Sequence, residues 1–501
     1  MPLPQRKNVY GIDGKAMKRI LSLAAAAMTF FSVTVSAKLS PKYPCSNSMV
    51  LQQLASPLVW GHGDAGKTVT LRTSWDGRRY SAEVGADGVW KVRVSTPAAS
   101  YTHHRISVKC GKEAYVIDDI LVGEVWVASG QSNMEMPLRG FFNCPVEGAN
   151  GVVAAPAGGD RVRMFTVGVN PQFKPVSDVA YTRGWEKAVP GEVAEMSATA
   201  YFFAEQLNRT LDIPVGILAL PRGGARLESW LPEATVRSFG TEKCDSASVM
   251  ARQPEYTRPY VMYNGMQQPV KGYTARGFIW YQGCSNVGKH GEFASRMKEL
   301  VRQWREDWGD TDNKMPFYQV EIAPFRYGGD QDGTSAELRA VQHEAAAEIP
   351  NGGIVCTNDL VYSYESDNIH PCLKRPVGQR LACLALNRDY GFSRIACCSP
   401  EATGVERDLS RPSALLVTII NCPGGLRRMK EIRGLEIAGR DGVFHPVEEV
   451  SMEWGDGRLV VSSPEVAEPL HIRYGWGDFV PGNLAGADGL PFVPFKLSVN
   501  Q

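Results

Sequence analysis

The chain has 501 residues, 44% apolar and 21% charged, with 54 Lys plus Arg against 53 Asp plus Glu. That length exceeds one ordinary core, so two or three domains are expected, and the composition is that of a globular protein rich in turns. A net charge of +1 without a basic stripe argues against a nucleic-acid partner.

Lys18 and Arg19 precede the apolar run "ILSLAAAAMTFFSV", and Val35-Ser36-Ala37 supplies a small-residue cleavage pattern. Residues 1–37 therefore read as upstream residues and a signal peptide, with Met17 as an internal start. The run is too short to span a bilayer. The expectation is an exported protein, periplasmic or extracellular, with no membrane span in the mature chain. Export would permit disulfides among the 11 cysteines, whose odd count leaves at least one thiol over. No C-x-x-C pair occurs, and most cysteines read as small buried apolar residues.

From Leu39 to Ile117 short alternating runs ("PLVWGHG", "KTVTLRTSW", "VWKVRVS", "HRISVKC") are separated by turn clusters such as "DGRR". This spacing predicts a β-sandwich-like domain over 38–118. Gly61–Thr68 matches the P-loop expression G-x-x-x-x-G-K-[ST], but "TVTLRTSW" follows it as a strand. A phosphate cradle needs a helix there, so nucleotide binding is not expected.

From 119 to 392 the texture changes. Apolar runs ("ILVGEVWVASG", "PVGILALPRGG", "GFIWYQG", "MPFYQVEIAPF", "GGIVCTND") alternate with helical stretches such as "FASRMKELVRQWREDW". Strands spaced by amphipathic helices predict a parallel sheet covered on both faces, with ligands at the carboxyl ends of the strands. After Asn387 short alternating strands return, predicting a C-terminal β domain over 393–501 that packs on the first.

The stretch Val125–Pro137, "VWVASGQSNMEMP", runs from a core strand straight into a polar cluster at Ser132. A serine hydroxyl attacks an ester only when a base takes its proton and a third group orients that base. His370, in "ESDNIHPCLKRPVGQRLA", has Asp367 three residues before it and Pro371 opening an expected helix. A carboxylate and an imidazole one turn apart can meet, leaving Nε2 for the serine. Gly223-Gly224 would let a backbone N–H approach a bound oxygen, and Gln282 and Asn286 carry amides at a neighbouring strand end. Such donors each stabilise an oxyanion by roughly 3–4 kcal/mol. Trp230, Trp280 and Tyr281 could flank a sugar, though aromatics at strand ends are more often core.

The order and content of "GEVWVASGQSNMEMPL", "PVGILALPRGGARLESW", "GFIWYQGCSN", "PFYQVEIAPF" and "DNIHPCLKRPVGQRLA" resemble the SGNH-hydrolase superfamily, specifically the sialate O-acetylesterase family of secreted carbohydrate esterases. The flanking β segments resemble that family too. The resemblance implies an α/β fold, an SGNH-type three-layer α/β/α domain with β-sandwich-like regions on either side. It places the nucleophile at Ser132, the base at His370 and the orienting acid at Asp367. Oxyanion donors would be the Ser132 amide, Gly224, and a side-chain amide of Gln282 or Asn286. It implies an O-acetylated sugar as substrate and no metal or cofactor; Asp330-Gln331-Asp332-Gly333 reads as a solvated turn. Two departures stand out: Cys284 replaces an acidic residue of the family's Y-Q-G-E-S-N, and Pro221-Arg222 stand where small residues and Trp are usual. Removal of acetyl from sialic acid is the leading expectation, an acetylxylan or other glycan esterase the nearest rival, and a catalytically weak glycan-binding protein the rival of another class.

Overall fold

In the computed structural model the described residues are 38–328, 333–452 and 457–499. The expected signal peptide and the Asp330-Gln331-Asp332 turn lie outside them.

The framework is one strand, β1 (Glu113–Gly130). Its first half alternates exposed and buried residues, as a sheet with one wet face requires; from Ile120 onward every residue is buried, as a strand covered on both faces requires. The first half pairs antiparallel with Ser100–Cys110, and its middle pairs parallel with Val50–Gln52. The second half is the centre of a larger sheet. The boundary expected at 118–119 therefore falls inside a continuous strand. Its mark is Asp119, at φ +57°, held by Arg163 (2.9 Å) and Lys187 (2.8 Å).

That larger sheet adds β2 (Gly159–Thr166), β3 (Trp185–Ala188), β4 (Val215–Pro221), β5 (Gly277–Tyr281), β6 (Phe317–Val320) and β7 (Gly352–Val355). The order is β3-β2-β4-β1-β5-β6-β7, all parallel except β3 on the edge. Side chains alternate between two cores. Trp126, Ala128, Ile217, Ala219, Ile279 and Tyr281 face the core built with α2 (Ala198–Leu211) and α5 (Lys374–Asp389). Val125, Val127, Leu218, Leu220, Phe278 and Trp280 face the one built with α3 (His290–Asp307) and α4 (Thr334–Glu348).

The chain moves outward from β1 in both directions, to β4 on one side and β5 on the other. The crevice beyond the carboxyl end of β1 is thus the switch point of the sheet, where such folds bind ligands.

The region before β1 places its strands around the same core as Val125 and Val127. Thr68 opens the strand Thr68–Thr73, and Lys67 Nζ lies 2.5 Å from Asp64. A strand offers no row of free amides to a phosphate, so the P-loop match is only a turn between strands. After α5, two four-stranded antiparallel sheets enclose a third core that includes Leu415, Ile437, Val461, Ile472 and Tyr474. This C-terminal region docks on the catalytic sheet's periphery. Asp478 accepts from Ser335 N–H (3.0 Å) and Gly328 N–H (2.9 Å), and buried Arg339 donates to the Gly477 carbonyl (2.6 Å). Among the described residues, no hydrogen bond joins it to the N-terminal β region, where the sequence had placed its partner.

Candidate active site

β1 ends at Gly130. Its φ of +132° is open only to glycine, and a Cβ there would strike the Tyr281 carbonyl of β5. The chain then turns sharply. Gln131 N–H donates to the Tyr281 carbonyl (2.8 Å), and Gln131 Oε1 accepts from Gly283 N–H (2.9 Å). Ser132 follows as the first residue of the short helix α1 (Ser132–Glu135), half-buried between fully buried neighbours. A serine is presented at the rim because the backbone on both sides of it is tied down.

The segment after β4 passes directly over this serine. Arg222 N–H donates to the Gly130 carbonyl (3.0 Å), Gly223 N–H to the Glu135 carboxylate, and Ala225 N–H to the Arg222 carbonyl (3.2 Å). A Cβ on Gly223 would lie 3.3 Å from Ser132 Cβ and 2.8 Å from Glu135 Oε2. Gly224 has φ +71°, and a Cβ there would enter the ring of Tyr256. Gly224 is therefore required by space and by backbone conformation, while Gly223 brings the turn into close contact with Ser132. Among the described residues, neither the Ser132 nor the Gly224 N–H has an acceptor. These are two amides free to receive an oxygen.

Gln282 and Asn286 do something other than expected. Both are buried, and their amide nitrogens are already engaged: Gln282 Nε2 with Asn286 Oδ1 (2.7 Å), and Asn286 Nδ2 with both Glu228 oxygens (3.2 Å each). An amide that has spent its hydrogens on buried acceptors cannot supply them to an oxyanion without orphaning those acceptors. Their effect is to fix the glycine segment. Gln282 Nε2 lies 3.4 Å from the Ala225 carbonyl, Ser285 Oγ donates to the Gly224 carbonyl (3.0 Å), and Asn286 Oδ1 accepts from Leu227 N–H (3.1 Å). Cys284 is buried, which raises its thiol above the ordinary value, so it stays neutral.

His370 reaches the rim from the segment before α5. Its N–H donates to Asn368 Oδ1 (2.9 Å), and Asn368 Nδ2 donates back to its carbonyl (3.0 Å). Phe141 packs edge-on against the imidazole at 5.2 Å. Burial, and then the nearby Lys374 ammonium, lower the imidazole to about 4. No hydrogen bond joins Ser132 and His370 among the described residues. Nor does Asp367 sit on the histidine. Its carboxylate is exposed and lies 3.5 Å from Arg326, while His370 Nδ1 faces Cys144 Sγ at 3.9 Å. The expected one-turn geometry is absent because α5 begins at Lys374 rather than at Pro371, and Asn368 holds residues 366–370 in a turn.

What ties the histidine segment to the serine is Asn133, which the sequence reading passed over. Its Nδ2 donates to the Ile369 carbonyl (3.0 Å), and its Oδ1 accepts from Lys374 Nζ (2.7 Å). Lys374 is buried, also donates to the Pro371 carbonyl (2.7 Å), and is pushed down to about 7 by desolvation, opposed by Glu365. Glu365 in turn accepts from Tyr362 N–H and Cys372 N–H (2.9 Å each). A polar residue directly after the candidate nucleophile, and a lysine at the first position of the helix that follows His370, were the available signals. Trp230, Trp280 and Tyr281 are core residues, 0%, 1% and 2% exposed, and flank no ligand space. All 11 cysteines are unpaired, six of them buried. Among the described residues no cluster of His, Cys, Asp or Glu is disposed to hold a metal ion, and no helix is long and apolar enough to cross a membrane.

The family model for carbohydrate esterases described as sialic acid-specific acetylesterase matches residues 122–387, from within β1 to the end of α5. The chain belongs to this family. Within the acetylesterase family its relatives include mouse sialate O-acetylesterase, 26% identical over 418 residues (72% of this chain, 75% of that one). The human sialate O-acetylesterase is 26% identical over 400 residues (72% and 73%). The crystal structure of a carbohydrate acetylesterase from Xanthomonas citri matches with a TM-score of 0.79 at 28% identity, covering 91% of this chain and 99% of that one. Membership makes this acetylesterase-family chain a carboxylic ester hydrolase acting on O-acetylated sugars.

Proposed function

We propose that the chain is an exported sialate O-acetylesterase working through an acyl-enzyme, on an SGNH-type catalytic domain. The observation that carries this reading is the convergence at one sheet switch point of a rim serine, two free amides and a histidine segment clamped to the serine's own helix through Asn133. His370 Nε2 takes the Ser132 proton as Oγ attacks the acetyl carbonyl. The negative charge on the carbonyl oxygen is received by the Ser132 and Gly224 amides. Collapse breaks the bond to the sugar oxygen, which takes the proton back from His370. Water, deprotonated by the same imidazole, then releases acetate and restores the serine.

Burial keeps the imidazole neutral and able to accept a proton at physiological pH, and the same burial makes it a weaker base than a free imidazole. Orientation by Asp367 requires its carboxylate to leave Arg326 and turn toward Nδ1. The sialic acid substrate is supported by the sialate O-acetylesterase relatives. Acetate release from O-acetylated sialic acids and from acetylxylan, measured in parallel for wild type and Ser132→Ala, tests the whole. Serine-dependent release from the sialic acids is expected; release from acetylxylan alone would move the substrate to plant glycans. Equal inertness of both proteins on both substrates, with sugar binding retained, would leave a binding protein.

A further inference from the structure

Arg222 is one of the two positions at which the sequence departs from the family pattern, and it lies on the rim itself, joined by its backbone to Gly130 and followed by the turn over Ser132. Its guanidinium stacks 4.7 Å above the ring of Tyr256, the same ring that fills the space beside Gly224. The side chain is 28% exposed, with its Nε buried.

What distinguishes it from its neighbours is that its ion pair is long and carries no hydrogen bond. Arg252 holds Glu242 at 2.7 Å, Arg226 lies 3.3 Å from Glu242, and Arg296 is hydrogen-bonded to Glu228. The nearest carboxylate oxygen to Arg222 is Glu135 Oε1 at 3.7 Å, beyond hydrogen-bond reach, and the other Glu135 oxygen is taken by Gly223 N–H. The buried Arg222 Nε has no partner at all. An arginine whose guanidinium carbon lies 4.7 Å over an aromatic ring, and whose donors hold no hydrogen-bonded anion, can take a planar, bidentate anion.

We propose that Arg222 is a specificity-determining residue that binds the carboxylate of an acidic sugar while the acetyl ester of that sugar lies over Ser132. This rests on the acyl-enzyme reading above and narrows its substrate to sugars that carry an acid group. The stacked guanidinium is fixed in place before substrate arrives, and it lies beside the Gly223-Gly224 turn that receives the acetyl oxygen. One sugar thus meets both in a single orientation.

The test compares an O-acetylated N-acetylneuraminic acid with its methyl ester, reading acetate release for wild type, Arg222→Gln and Arg222→Lys. Wild type is expected to favour the free acid over the methyl ester by at least about tenfold in kcat/KM, a typical worth of a charge-assisted contact. Arg222→Gln should bring that ratio close to one, mainly through a higher KM for the acid, and Arg222→Lys should retain part of it. Equal turnover of acid and methyl ester by wild type overturns the proposal even if the variants do not fold, and leaves the esterase reading standing. So does a preference that survives in Arg222→Gln. A wild type that cleaves p-nitrophenyl acetate through Ser132 but frees no acetate from either sugar overturns the sialate reading and this proposal together.

Discussion

Replacing Asn133 by Ala separates the role of the clamp from that proposed for Ser132 beside it. The substitution removes a donor to the Ile369 carbonyl at 3.0 Å and an acceptor from the Lys374 ammonium at 2.7 Å. A neutral hydrogen bond contributes about 1 kcal/mol and one to a charged group about 1.5–3 kcal/mol, so the loss is roughly 2.5–4 kcal/mol. It should be measured near pH 6, where Lys374, held down at about 7, is still protonated and cannot escape the loss by deprotonating. Thermal unfolding should fall by roughly 5–10 °C. The catalytic consequence comes from the slack introduced between Ser132 and His370. A displacement of about 1 Å between reacting groups costs on the order of 100-fold, so kcat on p-nitrophenyl acetate should drop by about that much with KM little changed. Asn133→Asp keeps an acceptor for Lys374 and loses only the donor, and should lie between. A lowered melting temperature with kcat intact would show that Asn133 serves folding alone, and the positioning argument would be wrong.

The acid limb of kcat/KM should lie near pH 4 instead of near 6.5, because the base works in its neutral form and burial holds His370 neutral down to about 4. The same shift means that the unfolded chain binds the extra proton between about pH 4 and 6.5, so stability should rise with pH across that window when followed by urea unfolding. Asp367→Asn, at an exposed carboxylate facing Arg326, should cost less than about tenfold in kcat; a loss near 10⁴-fold would instead establish it as the orienting acid. Gly224→Ala should reduce kcat by at least about 100-fold, since the new methyl group would displace Tyr256 and the donor N–H with it; near-normal turnover would remove Gly224 from the oxyanion role.

The central sheet was legible because its strands are continuous apolar runs, a pattern that only burial on both faces produces. The position of Ser132 at the strand's carboxyl end was legible because its polar cluster interrupts such a run at a glycine. Asp367 stands apart from His370 in the structure for a local reason. An i, i+3 argument presumes a helical turn at 367–370, and Asn368 instead closes that backbone on itself through its own side chain. The amides of Gln282 and Asn286 could be recognised as belonging to the rim, but not as already engaged, because the acceptors that fix them there, the Ala225 carbonyl for Gln282 and Glu228 for Asn286, are 57 and 58 residues away in sequence. The Asn133–Lys374 contact spans 241 residues, and no local periodicity reports a contact of that range. The boundary at 118–119 failed for the opposite reason: two differently patterned segments turned out to be one strand in two environments.

That shared strand, Glu113–Gly130, leaves the molecule without a hinge between its first two regions. Cutting the chain at the apparent boundary would sever the middle of the strand that presents Ser132, removing its antiparallel neighbour Ser100–Cys110 and leaving Asp119, which holds Arg163, at a frayed new terminus. The N-terminal β region is in this sense a buttress for Ser132, and amide exchange should find the two opening together as one cooperative unit.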